Sequence, residues 1–151
     1  MINILIFGAG SIGNHMTYAC TKLGYKVHIT DKNFLALKRM KQIIYPKRYG
    51  KWDKNINQIK FDNLDNLNIY FDLIIIGTPP NTHLELLKKC KKILRYKKIL
   101  IEKPLSTYLE NFQKLKNEKN LFCGYNHSIS PSFQKFLNLI NKEKINKKTF
   151  I

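Results

Sequence analysis

At 151 residues, 44% of them hydrophobic, the chain is long enough for one domain with a full core and too short for two of ordinary size. No apolar run approaches the roughly 18 residues of a transmembrane helix, which rules out a helical membrane protein. The formal charge of +17 rests on lysine, with only three arginines (Arg39, Arg48, Arg95) among 27 basic residues; surfaces that read bases or clamp phosphates lean on arginine forks, so no specific nucleic-acid partner is expected.

The chain enters a strand at once, over residues 2–7, with no charged leader and no small-residue cleavage site, so a cytoplasmic protein is expected. Gly8-Ala9-Gly10-Ser11-Ile12-Gly13 follows. Ile12, Met16, Ala19, Cys20 and Leu23 then recur at helical spacing until Gly24. A second strand through Val27 and Ile29 ends at Asp31. A glycine turn between strand and helix, with an acidic residue about 20 positions on, is the context in which this pattern binds a dinucleotide.

Each residue has a distinct expected task. Gly8 permits the tight turn, Gly10 removes a side chain where pyrophosphate approaches the backbone, and Gly13 lets the helix pack closely on the sheet. Ser11 and Ile12 lie at the helix N-terminus and offer main-chain donors to the anion. Asp31 would accept hydrogen bonds from the ribose 2′- and 3′-hydroxyls and repel the 2′-phosphate of NADP, so NAD is the expected cofactor. Lys32 leaves NADP open, because it could pair with that phosphate if Asp31 turned away. The plainer reading of Asp31 is a solvated helix cap.

Leu37, Met40 and Ile44 form a second helical stripe, closed before Pro46. Residues 45–72 are the hardest to read, with a short strand and a short helix expected among Tyr45, Tyr49, Trp52 and Phe61. Phe71 to Ile76 is apolar except for Asp72, as in a central parallel strand covered on both faces. Gly77-Thr78-Pro79-Pro80-Asn81-Thr82-His83 ends it. Thr82 and Glu85 have capping-box spacing ahead of a helix through Leu86, Leu87, Cys90, Ile93 and Leu94.

Ile99 to Ile101 is the next strand and runs into Glu102-Lys103-Pro104. Thr107 and Glu110 repeat the capping-box spacing, and Leu121 to Cys123 is a sixth strand. Strands alternating with helices predict an α/β fold, a doubly wound parallel sheet of the Rossmann dinucleotide-binding kind. A last helix starting at Ser130-Pro131 carries Phe133, Phe136, Leu137 and Ile140 on one side. Cys20, Cys90 and Cys123 are widely spaced among apolar residues and read as buried free thiols, with no metal set expected.

Four landmarks now carry a resemblance: the glycine fingerprint at 8–13, Thr78-Pro79-Pro80 to His83, Glu102-Lys103-Pro104, and Gly124-Tyr125-Asn126. In order and spacing the chain resembles the N-terminal half of the Gfo/Idh/MocA family (glucose–fructose oxidoreductase, inositol dehydrogenase, rhizopine catabolism). The resemblance implies NAD(P)-dependent oxidation or reduction of a hydroxyl or carbonyl on a sugar, a cyclitol or a related small molecule. It implies that Thr78, Pro79, Asn81 and His83 line the dinucleotide near its nicotinamide half and that Glu102 approaches the nicotinamide ribose. Lys103 would be the family's catalytic lysine, favouring a developing alkoxide, and the Lys103–Pro104 bond its cis-proline turn.

The resemblance also implies a second domain that supplies the substrate pocket and an aspartate–histidine pair as proton acceptor. Residues 1–124 are therefore expected to form the NAD(P)-binding domain, and 125–151 the crossover and the start of an α+β domain. Phe133, Phe136 and Leu137 would then be exposed, mobile or covered in a homo-oligomer. Where the family places an arginine after Gly-Tyr/Phe-Asn, this chain has His127-Ser128. His127 reads either as a substrate contact or stand-in acid/base, or as an ordinary crossover residue.

Three functions stay open at this stage. The first is an oxidoreductase present as its cofactor-binding half, with a separately encoded C-terminal domain as partner. The second is a non-catalytic NAD-binding protein. The third is an electrostatic nucleic-acid binder, whose affinity would fall steeply with salt.

Overall fold

The computed structural model describes residues 1–107, 115, 118–125 and 130–142. The helix expected after Thr107 falls mainly outside these residues, and His127 lies outside them entirely. Six strands, β1 (Asn3–Phe7), β2 (Lys26–Asp31), β3 (Ile56–Lys60), β4 (Tyr70–Ile76), β5 (Arg95–Ile101) and β6 (Leu121–Cys123), form one sheet. Its order is β3-β2-β1-β4-β5-β6, with every pair parallel. The expected Rossmann-like doubly wound sheet is what the chain builds. The strand order reverses between β1 and β4, and such reversals open a crevice at the carboxyl ends of the strands.

Apolar strands need cover on both faces, and two hydrophobic cores supply it. Leu5, Phe7, Ile74 and Ile76 point to one face and pack with Leu86, Leu87 and Cys90 of α4 (His83–Ile93). Ile4, Ile6, Val27 and Ile29 point to the other and pack with Leu37 and Met40. Successive strand residues face opposite ways, so β1 alone feeds both cores.

Helix α1 (Ser11–Lys22) departs from its sequence pattern. The apolar positions Ile12 and Leu23 are exposed, and the buried face is Gly13, Asn14, Thr17, Cys20 and Thr21. Close approach is the reason: Gly13 sits against the loop, and only small side chains fit along the turns that follow it. Thr21 Oγ1 stays satisfied through the Thr17 and Tyr18 carbonyls, at 3.1 and 2.9 Å.

The second helix also differs. It runs as α2 (Phe34–Arg39), a π-helical turn (Met40–Ile44) and α3 (Tyr45–Tyr49), continuing through Pro46 instead of stopping before it. Tyr45 N–H donates to the Met40 carbonyl, a five-residue step. The extra residue moves the buried stripe from Ile44 to Tyr45, which is 2% exposed. It also begins a fresh first turn, where a proline has no helical hydrogen bond to lose. Tyr45 then meets Trp52, Tyr49 and Tyr18 at ring-centroid distances of 5.0, 5.3 and 6.4 Å.

The hard-to-read stretch holds β3 and a 3₁₀ turn over Phe61–Asn66. Helix α5 (Pro131–Lys142) exposes Phe133, Phe136 and Leu137 at 39%, 47% and 36%. Cys20 and Cys90 are buried and Cys123 half-buried, all three as free thiols. Burial pushes each thiol up, Cys90 to about 12. Among the described residues no helix is long and apolar enough to cross a membrane.

Candidate cofactor cleft

A cleft of about 480 Å³ opens where β1, β2 and β4 end. Gly8, Ala9 and Gly10 form its floor, Asp31 to Asn33 one wall, and Thr78, Pro79 and Thr82 the other. The ladder carries on past the strand ends to set these turns. Gly8 N–H donates to the Thr30 carbonyl at 2.8 Å, and Gly77 N–H to the Phe7 carbonyl at 3.0 Å.

Gly8 turns at φ +102°, and a side chain there would come within 3.0 Å of the Gly77 carbonyl oxygen. At Gly13 a Cβ would lie 1.7 Å from the Gly8 oxygen, so no side chain fits. Gly10 is different: a Cβ there meets nothing among the described residues within 4 Å. The protein's own packing demands glycine at 8 and 13, whereas at 10 the missing side chain leaves room in the cleft itself. That space suits a group approaching the backbone, so the residues present fit a dinucleotide's pyrophosphate.

Asp31 joins the two expected readings. Its Oδ1 accepts from Asn33 N–H at 2.8 Å, the cap-like bond, while Oδ2 accepts from Ala9 N–H at 2.7 Å. The second bond ties the glycine loop to the end of β2, and spacing alone gave no sign of it. Each carboxylate oxygen keeps a further lone pair for a ligand hydroxyl. Asn14, not foreseen either, holds the loop from below, its Nδ2 donating to the Ala9 and Gly10 carbonyls at 2.9 and 2.8 Å.

Ser11 and Ile12 open α1, whose helical bonding starts with Asn14 N–H to the Gly10 carbonyl at 3.0 Å. The first-turn amides before it are the ones a helix leaves for a ligand. Ser11 Oγ also accepts from the Arg48 guanidinium at 3.4 Å. Ile12 covers Gly77, where a Cβ would come within 3.0 Å of its Cγ2.

The far wall is braced by hydroxyls and one imidazole. Thr82 Oγ1 donates to the Pro79 carbonyl at 2.7 Å, so Thr78 Oγ1 is the donor in the 2.7 Å contact between the two threonines. That commitment displaces the expected capping box: Thr82 makes no side-chain cap on α4, and Glu85 pairs instead with Lys32 at 3.1 Å.

His83 has no exposed surface and stands behind the walls of this cleft; Nε2 lies 2.7 Å from the Thr78 carbonyl and Nδ1 3.1 Å from that of Pro104. It joins the turn after β4 to the corner after β5. Lys103, exposed at that corner, precedes Pro104 through a cis bond, as the resemblance implied. The Lys103 amide donates to Glu102 Oε2 at 3.3 Å, and a Cβ at Gly124 would lie 3.1 Å from Glu102 Oε1.

The cleft thus gathers Gly8, Gly10, Asp31, Thr78 and Pro79 from the expected set. Ser11 and Ile12 sit at its edge on α1, and Gly13 lies behind the loop. Asn81, Glu102 and Lys103 stand on the β4–β5 side, outside its walls. Leu35, Ala36, Arg39 and Phe61 line it without having been expected. Leu35, Ala36 and Arg39 follow Asp31 at helical positions, a signal the sequence does contain. Among the described residues no group of three or more His, Cys, Asp or Glu could hold a metal ion.

A model described as "Oxidoreductase family, NAD-binding Rossmann fold" (GFO_IDH_MocA) matches residues 2–120. No curated protein matches the chain. Among solved structures it is similar to a myo-inositol dehydrogenase from Corynebacterium glutamicum, at 21% identity and TM-score 0.66, over 97% of this chain and 43% of that one. A WlbA (WbpB) dehydrogenase from Thermus thermophilus, in complex with NAD and UDP-GlcNAcA, matches at 15% identity and TM-score 0.64, over 94% and 47%. An oxidoreductase from Sinorhizobium meliloti matches at 18% identity and TM-score 0.61, over 96% and 42%. At these identities the likeness is one of fold. The chain spans less than half the length of each of the three structures.

Proposed function

The chain belongs to the Gfo/Idh/MocA oxidoreductases, with their NAD-binding Rossmann fold, and from that premise we propose that it is the cofactor-binding half of an NAD-dependent oxidoreductase. Its substrate is a hydroxyl or carbonyl on a sugar, a cyclitol or a related small molecule. The myo-inositol dehydrogenase and the UDP-GlcNAcA-bound dehydrogenase among the similar structures support that substrate class. On this reading residues 1–124 form the cofactor domain, and 125–151 lead into a substrate domain that supplies the proton acceptor.

The observation that carries the reading is the free space at Gly10 beside a braced Asp31. The first-turn amides of α1 hold the pyrophosphate, and Asp31 accepts the adenosine-ribose hydroxyls while repelling a 2′-phosphate. Thr78 and Pro79 bound the cleft toward the nicotinamide half, and Asn81 and Glu102 meet the cofactor at its edge. A bound nicotinamide supplies two-electron redox chemistry at a carbinol carbon. Lys103 steadies the negative charge that grows on the substrate oxygen, and His127 contacts the substrate or assists proton movement.

Titration with NADH of the wild type and of Gly10→Ala tests the reading. Saturable binding that Gly10→Ala weakens at least tenfold supports it, and equal binding by both overturns it. Reduction of NAD with a panel of sugars and cyclitols then separates an oxidoreductase from a protein that binds the cofactor without turnover.

A further inference from the structure

The residue after Asp31 is a cation, and in a cleft that holds adenosine ribose a cation there would welcome a 2′-phosphate. The structure shows where that cation goes. Lys32 Nζ reaches across the cleft mouth to Glu85 Oε1 at 3.1 Å, from the end of β2 to the first turn of α4. On the way it passes the Phe61 ring, 5.6 Å from its centroid. Glu85 stands at the rim between Thr82 and Leu86, both of which line the cleft. Asp31 on the other side accepts the Ala9 and Asn33 amides, bonds that it must give up to turn away.

We propose that Glu85 is a specificity residue of this cleft: it holds Lys32 away from the ribose 2′ position and adds a second negative charge there, so the cleft rejects NADP. The inference rests on the proposed function and deepens it, since Asp31 alone would face a neighbouring lysine free to neutralise the phosphate. With Glu85 in place, the charge of Lys32 is paired with a carboxylate on α4. A 2′-phosphate must then displace one carboxylate and approach another. Both partners of the pair are largely exposed, at 56% and 70%. Exposed pairs of this kind shift an equilibrium by up to about fivefold, and an added carboxylate facing a phosphate contributes comparably at low salt.

The experiment is calorimetric titration with NADH and NADPH, at low salt, of the wild type, Glu85→Gln, Glu85→Lys and the double variant Glu85→Gln/Lys32→Ala. Glu85→Gln should raise NADPH affinity about three- to tenfold while NADH affinity stays within about twofold. Glu85→Lys should raise it further. The double variant should lose the gain, which separates Lys32 from Arg39, the other cation lining the cleft. Saturable NADH binding with an unmoved NADPH-to-NADH ratio in Glu85→Gln overturns the inference alone, as does a gain that survives in the double variant. Failure of the wild type to bind either dinucleotide overturns the proposed function, and this inference with it.

Discussion

The carboxylate of Asp31 accepts the backbone amide of Ala9 at 2.7 Å, joining the end of β2 to the glycine loop after β1. One side chain therefore both shapes the loop and faces the cleft it encloses. A ligand hydroxyl bonding Asp31 adds to a carboxylate already oriented by two amides, so little ordering is left for binding to supply.

Asp31→Ala removes that brace and its partner bond to Asn33. Hydrogen bonds to a charged acceptor contribute about 1.5–3 kcal/mol each, and the part-exposed setting puts the loss near the lower end. Thermal unfolding should show a destabilisation of about 3 kcal/mol, and NADH affinity should fall at least tenfold. Unchanged affinity would sink the ribose assignment.

Gly13→Ala separates a fold requirement from a ligand requirement. The new methyl overlaps the Gly8 carbonyl at 1.7 Å, so the helix must move off the loop. A loss of about 3 kcal/mol or more is expected in denaturant unfolding. Gly10→Ala places its methyl in open space and should cost about 1 kcal/mol or less, since alanine is only a poorer N-cap than glycine. Equal destabilisation by the two would contradict the division of labour.

His83→Ala removes the imidazole that stands between the carbonyls of Thr78 and Pro104, depriving one of its N–H donor, and opens a void in a fully buried position. A loss of about 2–4 kcal/mol is expected from unfolding curves, together with weaker NADH binding as the Thr78 wall loosens. His83→Gln, which keeps one polar contact, should recover part of both. A variant as stable as the wild type would refute the bracing role.

His28 gives a pH signature. It is 3% exposed, packs edge-on against Phe71 at 5.6 Å, and its buried Nε2 has no hydrogen-bond partner among the described residues. Burial first, and then the charge of Lys26, hold it below its ordinary value of 6.5. The unfolded chain thus binds a proton on this ring before the folded one does. Stability is full above about pH 6.5 and falls as pH drops from there through the lowered folded value. His28→Leu should flatten the dependence of unfolding midpoint on pH between about 8 and 5; an unaltered slope would assign the effect to other groups.

The parallel sheet was legible because its strands are apolar runs punctuated by glycine and proline, and those signals are local. The three glycines of the loop were legible from their spacing, although their constraints differ: Gly13 meets the Gly8 carbonyl, Gly8 the distant Gly77 carbonyl, and Gly10 faces open space. Helix α1 misled because its apolar positions are not its buried ones: tight packing behind Gly13 selects small residues such as Thr17 over large ones such as Ile12. The π-helical turn before Tyr45 shifts a register by one residue, and no spacing rule anticipates it. The Asp31–Ala9, His83–Pro104 and Lys32–Glu85 contacts link residues 21 to 53 positions apart. Only the fold brings them together, which is why the brace and the paired lysine were beyond a linear reading.

The most direct test of the central claim is amide hydrogen exchange with and without saturating NADH. NADH is predicted to slow exchange in the glycine loop and first turn of α1, residues 8–13, and at residues 31–33, leaving α5 unchanged. No saturable binding, or protection that spares the loop between β1 and α1, would contradict it.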